Sequence, residues 1–159
     1  MGEEIGGLMF CSGSEEETLG LGRRLGAALT PGVVMLLSGE LGAGKTAFAR
    51  GIGCALGVAR VRSPSFTLVN EYKCEKFTLF HADLYRLDDA DGLGLDEYAD
   101  DRSVLLVEWP ERWQNPPSCD TIKISFEMTE GEPDKRLIRF SAKGKNASRI
   151  LCSLKSALS

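Results

Sequence analysis

The stretch Gly39-Glu40-Leu41-Gly42-Ala43-Gly44-Lys45-Thr46 spells G-x-x-x-x-G-K-T. A short apolar run, Val33-Val34-Met35-Leu36-Leu37, precedes it, and a helical pattern from Ala47 to Leu56 follows. Strand, glycine turn and helix in that order are the context a phosphate-binding loop requires. The glycines let the backbone turn tightly, so that its N–H groups converge on phosphate oxygens. The helix adds the positive end of its dipole at the same point. Lys45 is spaced to reach the β- and γ-phosphates, and the Thr46 hydroxyl to ligand Mg2+. The ligand class implied is a nucleoside triphosphate with Mg2+.

The remaining pattern predicts the architecture around that unit. Ser14-Glu15-Glu16-Glu17 reads as a capping box, opening a helix that buries Leu21, Leu25, Ala28 and Leu29 and stops at Pro31-Gly32. Strands are expected at Phe66-Thr67-Leu68-Val69, at Phe77-Thr78-Leu79-Phe80-His81 and at the fully apolar Val104-Leu105-Leu106-Val107. The acidic segment 87–101 is expected to be helical in part. Alternation at Ile122, Ile124 and Phe126, and again at Ile138 and Phe140, predicts a hairpin around a polar loop at 129–135. Ala147 to Leu158 predicts a closing helix. Together these give one α/β domain over residues 1–159, with 1–13 partly loose. It is a three-layer P-loop NTPase fold, its sheet parallel in the middle with an antiparallel edge hairpin.

Composition narrows the chemistry. The net charge of −4 argues against a protein that grips nucleic acid by its phosphates, although mild basic clusters occur at Arg60 and Arg62 and at Lys143 and Lys145. One histidine, His81, excludes multi-histidine metal sites. The five cysteines, Cys11, Cys54, Cys74, Cys119 and Cys152, have no C-x-x-C spacing and are expected as reduced, mostly buried thiols. The acidic start lacks a signal pattern, Gly6 stands where myristoylation wants Ser or Thr, and no apolar run is long enough to span a membrane. The expected location is cytoplasmic.

A phosphate loop needs a second acid on the metal side, at the end of a neighbouring strand. Glu108 directly follows the Val104–Val107 run, and Asp83 lies just past His81. Both reach the carboxyl ends of strands, where α/β sheets bind ligands. One is expected at Mg2+ and the other orienting the attacking water; spacing does not assign them. His81 is open to two readings, steering a phosphate or a water, or being a satisfied packing residue, and Arg86 to two, an arginine finger or an ion-pair partner. Asp89-Ala90-Asp91-Gly92 matches D-x-x-G without following a buried strand and is read as chance. The absence of N-K-x-D favours ATP over GTP.

Four blocks in order carry a family resemblance: the phosphate loop; Ser63-Pro64-Ser65-Phe66-Thr67-Leu68-Val69; His81-Ala82-Asp83-Leu84-Tyr85-Arg86; and Val107-Glu108-Trp109-Pro110-Glu111. The chain resembles the TsaE (YjeE) family, P-loop ATPases of tRNA threonylcarbamoyladenosine synthesis. The resemblance implies ATP and Mg2+ as ligands and a weak ATPase, stimulated by partner proteins TsaB and TsaD, with tRNA involved only indirectly. It implies Thr46 and Glu108 as Mg2+ ligands, and Lys45, Asp83 and Glu108 as the catalytic set. Trp109 would lie beside the nucleotide, and Glu15 at its base. Gly39, Leu41, Gly42, Ala43, Gly44, Lys45 and Thr46 would form the cradle, and the Ser63-to-Val69 block a switch loop. The family usually has Thr where this chain has Ser65, which keeps the hydroxyl. Two other classes fit the phosphate loop alone. A small-molecule kinase would need a lid, for which little chain remains after Arg112. A non-hydrolysing nucleotide-binding scaffold would not need both Asp83 and Glu108.

Overall fold

A strand as apolar as Val33–Leu37 must be covered on both edges and both faces, and the architecture follows from that requirement. The computed structural model describes residues 4–64 and 67–159. Along them run β1 (Glu4–Ser12), α1 (Glu15–Ala28), β2 (Val33–Ser38), α2 (Lys45–Ala55), β3 (Val69–Lys73), β4 (Thr78–Asp83) and β5 (Ser103–Glu108). The hairpin β6 (Thr121–Thr129) and β7 (Glu132–Lys143) and the helix α3 (Lys145–Leu158) complete the chain. The strands form one sheet in the order β1-β7-β6-β2-β5-β4-β3. β2 pairs in parallel with β5 on one side and β6 on the other, and β4 pairs in parallel with β5. The antiparallel pairs are β3–β4 at one edge and β6–β7 and β7–β1 at the other. This is the mixed α/β sheet, parallel at the centre, that the pattern predicts.

All three helices cover one face. Leu21 and Leu25 of α1, Phe48 and Ile52 of α2, and Ile150 and Leu154 of α3 pack over Met35, Leu37, Leu106 and Ile124. The first two helices meet backbone to backbone. A Cβ added at Gly22 would lie 2.1 Å from the Phe48 carbonyl oxygen, and one at Gly51 would lie 2.0 Å from that of Leu19. The capping box forms: Ser14 Oγ accepts from the Glu17 N–H at 3.1 Å, while the Glu17 carboxylate reaches back to the Gly13 N–H at 2.7 Å. Ser14 therefore fixes where α1 begins. The N-cap of α3, Gly144, has no side chain to cap with, and Asp120, beside the β6 residue that pairs with Lys143, supplies the cap, accepting from the Ala147 N–H at 2.9 Å.

Among the described residues the opposite face is covered without α-helices. Leu84, Ala90, Leu95 and Trp113 pack over Val34, Leu105 and Val107. The acidic stretch supplies only a short 3-10 turn, Leu95–Tyr98. Asp91 is fixed, accepting from the N–H groups of Gln114 and Asn115. It ties the two irregular segments of this layer together, a structural reason for an acid that reads in sequence as a chance match.

Four local expectations are corrected. Residues expected to be loose form β1, because Leu8 and Phe10 pack against the core while Arg136 to Lys143 of β7 supply its hydrogen-bonding partners. The strand expected at 66–69 begins only at Val69, since Leu68 sits at φ 65, a left-handed conformation that breaks an extended run. Phe66 and Ser65 lie outside the described residues. The hairpin loop is far tighter than expected, with β7 resuming at Glu132 through Gly131 at φ 77. No cysteine is buried: Cys11, Cys54 and Cys152 are exposed, Cys74 and Cys119 half-buried, and all five are free. Among the described residues, no helix is long and apolar enough to cross a membrane.

Candidate active site

The carboxyl ends of β2, β4 and β5 point the same way, so the residues following them share one end of the sheet. There a cleft of about 450 Å³ opens between the phosphate loop, the start of α1 and the tip of the β6–β7 hairpin. Of the residues singled out in the sequence, Glu15, Leu41, Gly42, Gly44, Lys45 and Thr46 line it from one side. Asp83, Glu108 and Trp109 line it from the other. Gly39 and Ala43 are not in its wall. Ala43 is buried beneath the loop, and Gly39 packs so close to Phe126 that a Cβ there would lie 2.8 Å from a backbone oxygen. Arg86 is exposed and outside the lining.

Lys45 is the most constrained group in the cleft. It is buried, its Nζ donates to the Gly39 carbonyl at 2.5 Å, and it stands 3.8 Å from the centroid of the Trp109 ring. Burial pushes its ammonium below the ordinary lysine value; the carboxylates of Glu108, Glu111 and Asp83 oppose that shift. Trp109 reaches this position from a left-handed backbone conformation, φ 59, which costs an aromatic residue about 1 kcal/mol or more. Its N–H donates to the Leu37 carbonyl at 3.2 Å, and its ring packs on Tyr85 with centroids 4.8 Å apart. The strained turn at the end of β5 thus sets an aromatic face against the phosphate-loop lysine.

The two acids are held differently. Glu108 is buried, and His81 Nε2 lies 2.7 Å from its Oε2. His81 is itself buried, and its Nδ1 has no partner among the described residues. Of the two sequence readings of His81, the geometry matches the packing one: it is buried, outside the cleft lining, and satisfied at Nε2 by the carboxylate it orients. Asp83 is more open. Its Oδ2 accepts from the Ser63 hydroxyl at 2.9 Å and its Oδ1 from the Tyr85 N–H at 3.1 Å. Ser63 is thereby attached to the site at the start of the segment that resembles a switch loop.

Sequence reasoning missed the far wall. Arg136 and Asp134, from the hairpin, line the cleft together with Ser14, Thr18 and Tyr85. Arg136 donates to the carbonyls of Ala43 and Gly42 at 3.1 and 3.0 Å. No local motif marks it, because its proximity to the loop comes from β6 lying beside β2. Among the described residues no cluster of three His, Cys, Asp or Glu side chains forms a self-sufficient metal cage. One hydroxyl and two carboxylates facing a phosphate cradle suit Mg2+, which binds through few protein oxygens and completes its shell with phosphates and water.

A mixed β-sheet, parallel at its centre, whose central strand runs through a glycine loop into a helix, with acids at the ends of the next two strands, defines a P-loop NTPase fold. The family model described as "Threonylcarbamoyl adenosine biosynthesis protein TsaE" matches residues 12–138. The protein named tRNA threonylcarbamoyladenosine biosynthesis protein TsaE from Bacillus subtilis is 40% identical over 139 residues, covering 86% of each chain. Its namesake from Aquifex aeolicus is 41% identical over 133 residues, 82% of this chain and 92% of that one. The crystal structure of YdiB from Bacillus subtilis superposes with a TM-score of 0.80 at 32% identity, covering 100% of this chain and 99% of that one. The chain belongs to the TsaE family.

Proposed function

We propose that this protein is a Mg2+-dependent ATPase that supports formation of N6-threonylcarbamoyladenosine at position 37 of tRNA by acting on a TsaB–TsaD transferase complex. The observation that carries the reading is the convergence of Lys45, Thr46, Asp83 and Glu108 on one cleft of a TsaE-family chain. Lys45 exchanges the Gly39 carbonyl for the β- and γ-phosphates, trading a neutral acceptor for a charged one. Thr46 and Glu108 hold the metal side, and His81 keeps the Glu108 carboxylate turned toward it. Asp83, open to the cleft and anchored at both oxygens, orients the attacking water. Mg2+, when bound, neutralises charge on the phosphates and leaving group. Glu15, at the α1 start, faces the far end of the ligand, where the base lies. tRNA enters only through the partner proteins, in keeping with the acidic chain.

The test is ATP hydrolysis by the full chain alone and with TsaB and TsaD. Slow turnover that rises several-fold with both partners is expected. Turnover indifferent to them removes the partner role. Phosphoryl transfer to a small acceptor would mark a kinase, and binding without turnover a scaffold.

A further inference from the structure

Arg136 stands on β7, 93 residues beyond Ala43, yet its guanidinium is spent on the phosphate loop. Nε donates to the Ala43 carbonyl at 3.1 Å and Nη2 to the Gly42 carbonyl at 3.0 Å. Nη1 donates to the carbonyls of Pro133 and Lys135 at 2.5 and 2.9 Å, which fixes the fork on its own strand. Among the described residues no carboxylate forms an ion pair with it. Its charge is therefore left at the rim of the cleft it lines.

The chemistry of the peptide group gives this arrangement a consequence. In a trans peptide the carbonyl and the following N–H point in opposite directions. Drawing the Gly42 and Ala43 carbonyls toward β7 turns the N–H groups of Ala43 and Gly44 away from it. The Ala43 N–H closes a turn on the Glu40 carbonyl at 3.1 Å, and Gly44 faces the cleft. Gly42 and Gly44 sit at φ 79 and 106, conformations available to a glycine loop only among many others. Something must select them before a ligand arrives, or the ligand must spend binding energy ordering the loop. The geometry points to Arg136 as a positioning residue that clamps the phosphate loop in its cradle conformation from the C-terminal hairpin. A lysine cannot reproduce this, because a point charge lacks the rigid fork that bridges two successive carbonyls.

The inference rests on the cleft being a triphosphate site, so its test has one arm that does not. In the nucleotide-free full chain, amide hydrogen exchange of residues 39–46 is compared among the parent, Arg136→Gln and Arg136→Lys, with α1 as internal reference. Both variants should exchange the loop roughly tenfold faster while α1 is unchanged, as expected when one charge-assisted contact is lost. Parent-like exchange in the loop overturns the clamp. In the second arm, ATP and inorganic tripolyphosphate should each bind about tenfold more weakly to both variants. Full affinity in Arg136→Lys overturns the clamp in favour of charge alone. If Arg136→Gln is destabilised throughout, seen as faster exchange in α1, Arg136→Lys decides the matter. A parent chain that binds neither phosphate ligand sinks the ATPase reading, while the exchange arm still judges the clamp.

Discussion

Gly51→Ala adds one methyl group to α2 at the point where it crosses α1. The new Cβ would lie 2.0 Å from the Leu19 carbonyl oxygen, 2.8 Å from the Arg23 nitrogen and 2.9 Å from the Leu19 carbonyl carbon. That is roughly 1.3 Å inside the ~3.3 Å at which carbon and carbonyl oxygen ordinarily meet. Every atom it strikes is backbone, so no rotamer change relieves the clash and the helices must separate. Overpacking of this kind costs up to about 3 kcal/mol, and the better helix propensity of alanine returns about 1 kcal/mol. The net loss is about 2 kcal/mol, which lowers the melting temperature of a chain of this size by roughly 4–8 °C. Gly20→Ala, on α1, is the paired control: its Cβ would meet nothing within 4 Å. It should stabilise by up to about 1 kcal/mol. Thermal melts followed by circular dichroism read both. A Gly51→Ala melting temperature at or above the parent's would refute the backbone contact, whatever Gly20→Ala does.

Three further outcomes follow from the site and the α1 cap. Because burial lowers the Lys45 value, the folded chain carries the charged form at a cost below that value, and stability rises with pH from there up to 10.5. Lys45→Met should therefore melt no lower than the parent at pH 7, lose that alkaline rise, and show no detectable ATP binding by calorimetry. Glu108→Gln and Asp83→Asn should cut ATP turnover at least tenfold while ATP affinity changes less, as expected for groups acting mainly in the transition state; equal losses in a binding titration would contradict that division. Ser14→Ala removes the cap of α1 and should cost about 1 kcal/mol in a denaturant titration, with the midpoint shifted and the slope unchanged.

What was legible in the sequence was whatever local chemistry dictates. The glycine loop named its own strand and helix, Ser14 and Glu17 marked the start of α1, and the apolar run before Glu108 fixed a central strand. β1 was not legible because a glycine-rich start hides the alternation of Leu8 and Phe10, and its strand character comes from pairing with β7. The shift of β3 hinges on a left-handed Leu68, which no propensity foretells. In the site, Lys45, Thr46, Asp83, Glu108 and Trp109 carried motif signals and do share a cleft. Arg136 and Asp134 carried none, for their part in the site depends on which strand lies beside β2. The partner of His81 was likewise invisible: the parallel register pairs His81 with Leu106, and its ring reaches Glu108 two residues further along β5.

The order of strands has a consequence for how the chain is made. β2 is followed at once by the phosphate loop, yet both its neighbours, beginning at Ser103 and Thr121, emerge from the ribosome much later. Until then the most apolar strand of the protein has two bare edges and an uncovered back face, the condition under which nascent chains pair wrongly or are held by chaperones. The glycine loop is thus synthesised early and built late. The hairpin that brings its second neighbour and the Arg136 contacts to Gly42 and Ala43 comes last, so a chain interrupted before residue 103 would carry the complete G-x-x-x-x-G-K-T motif on a strand with neither neighbour.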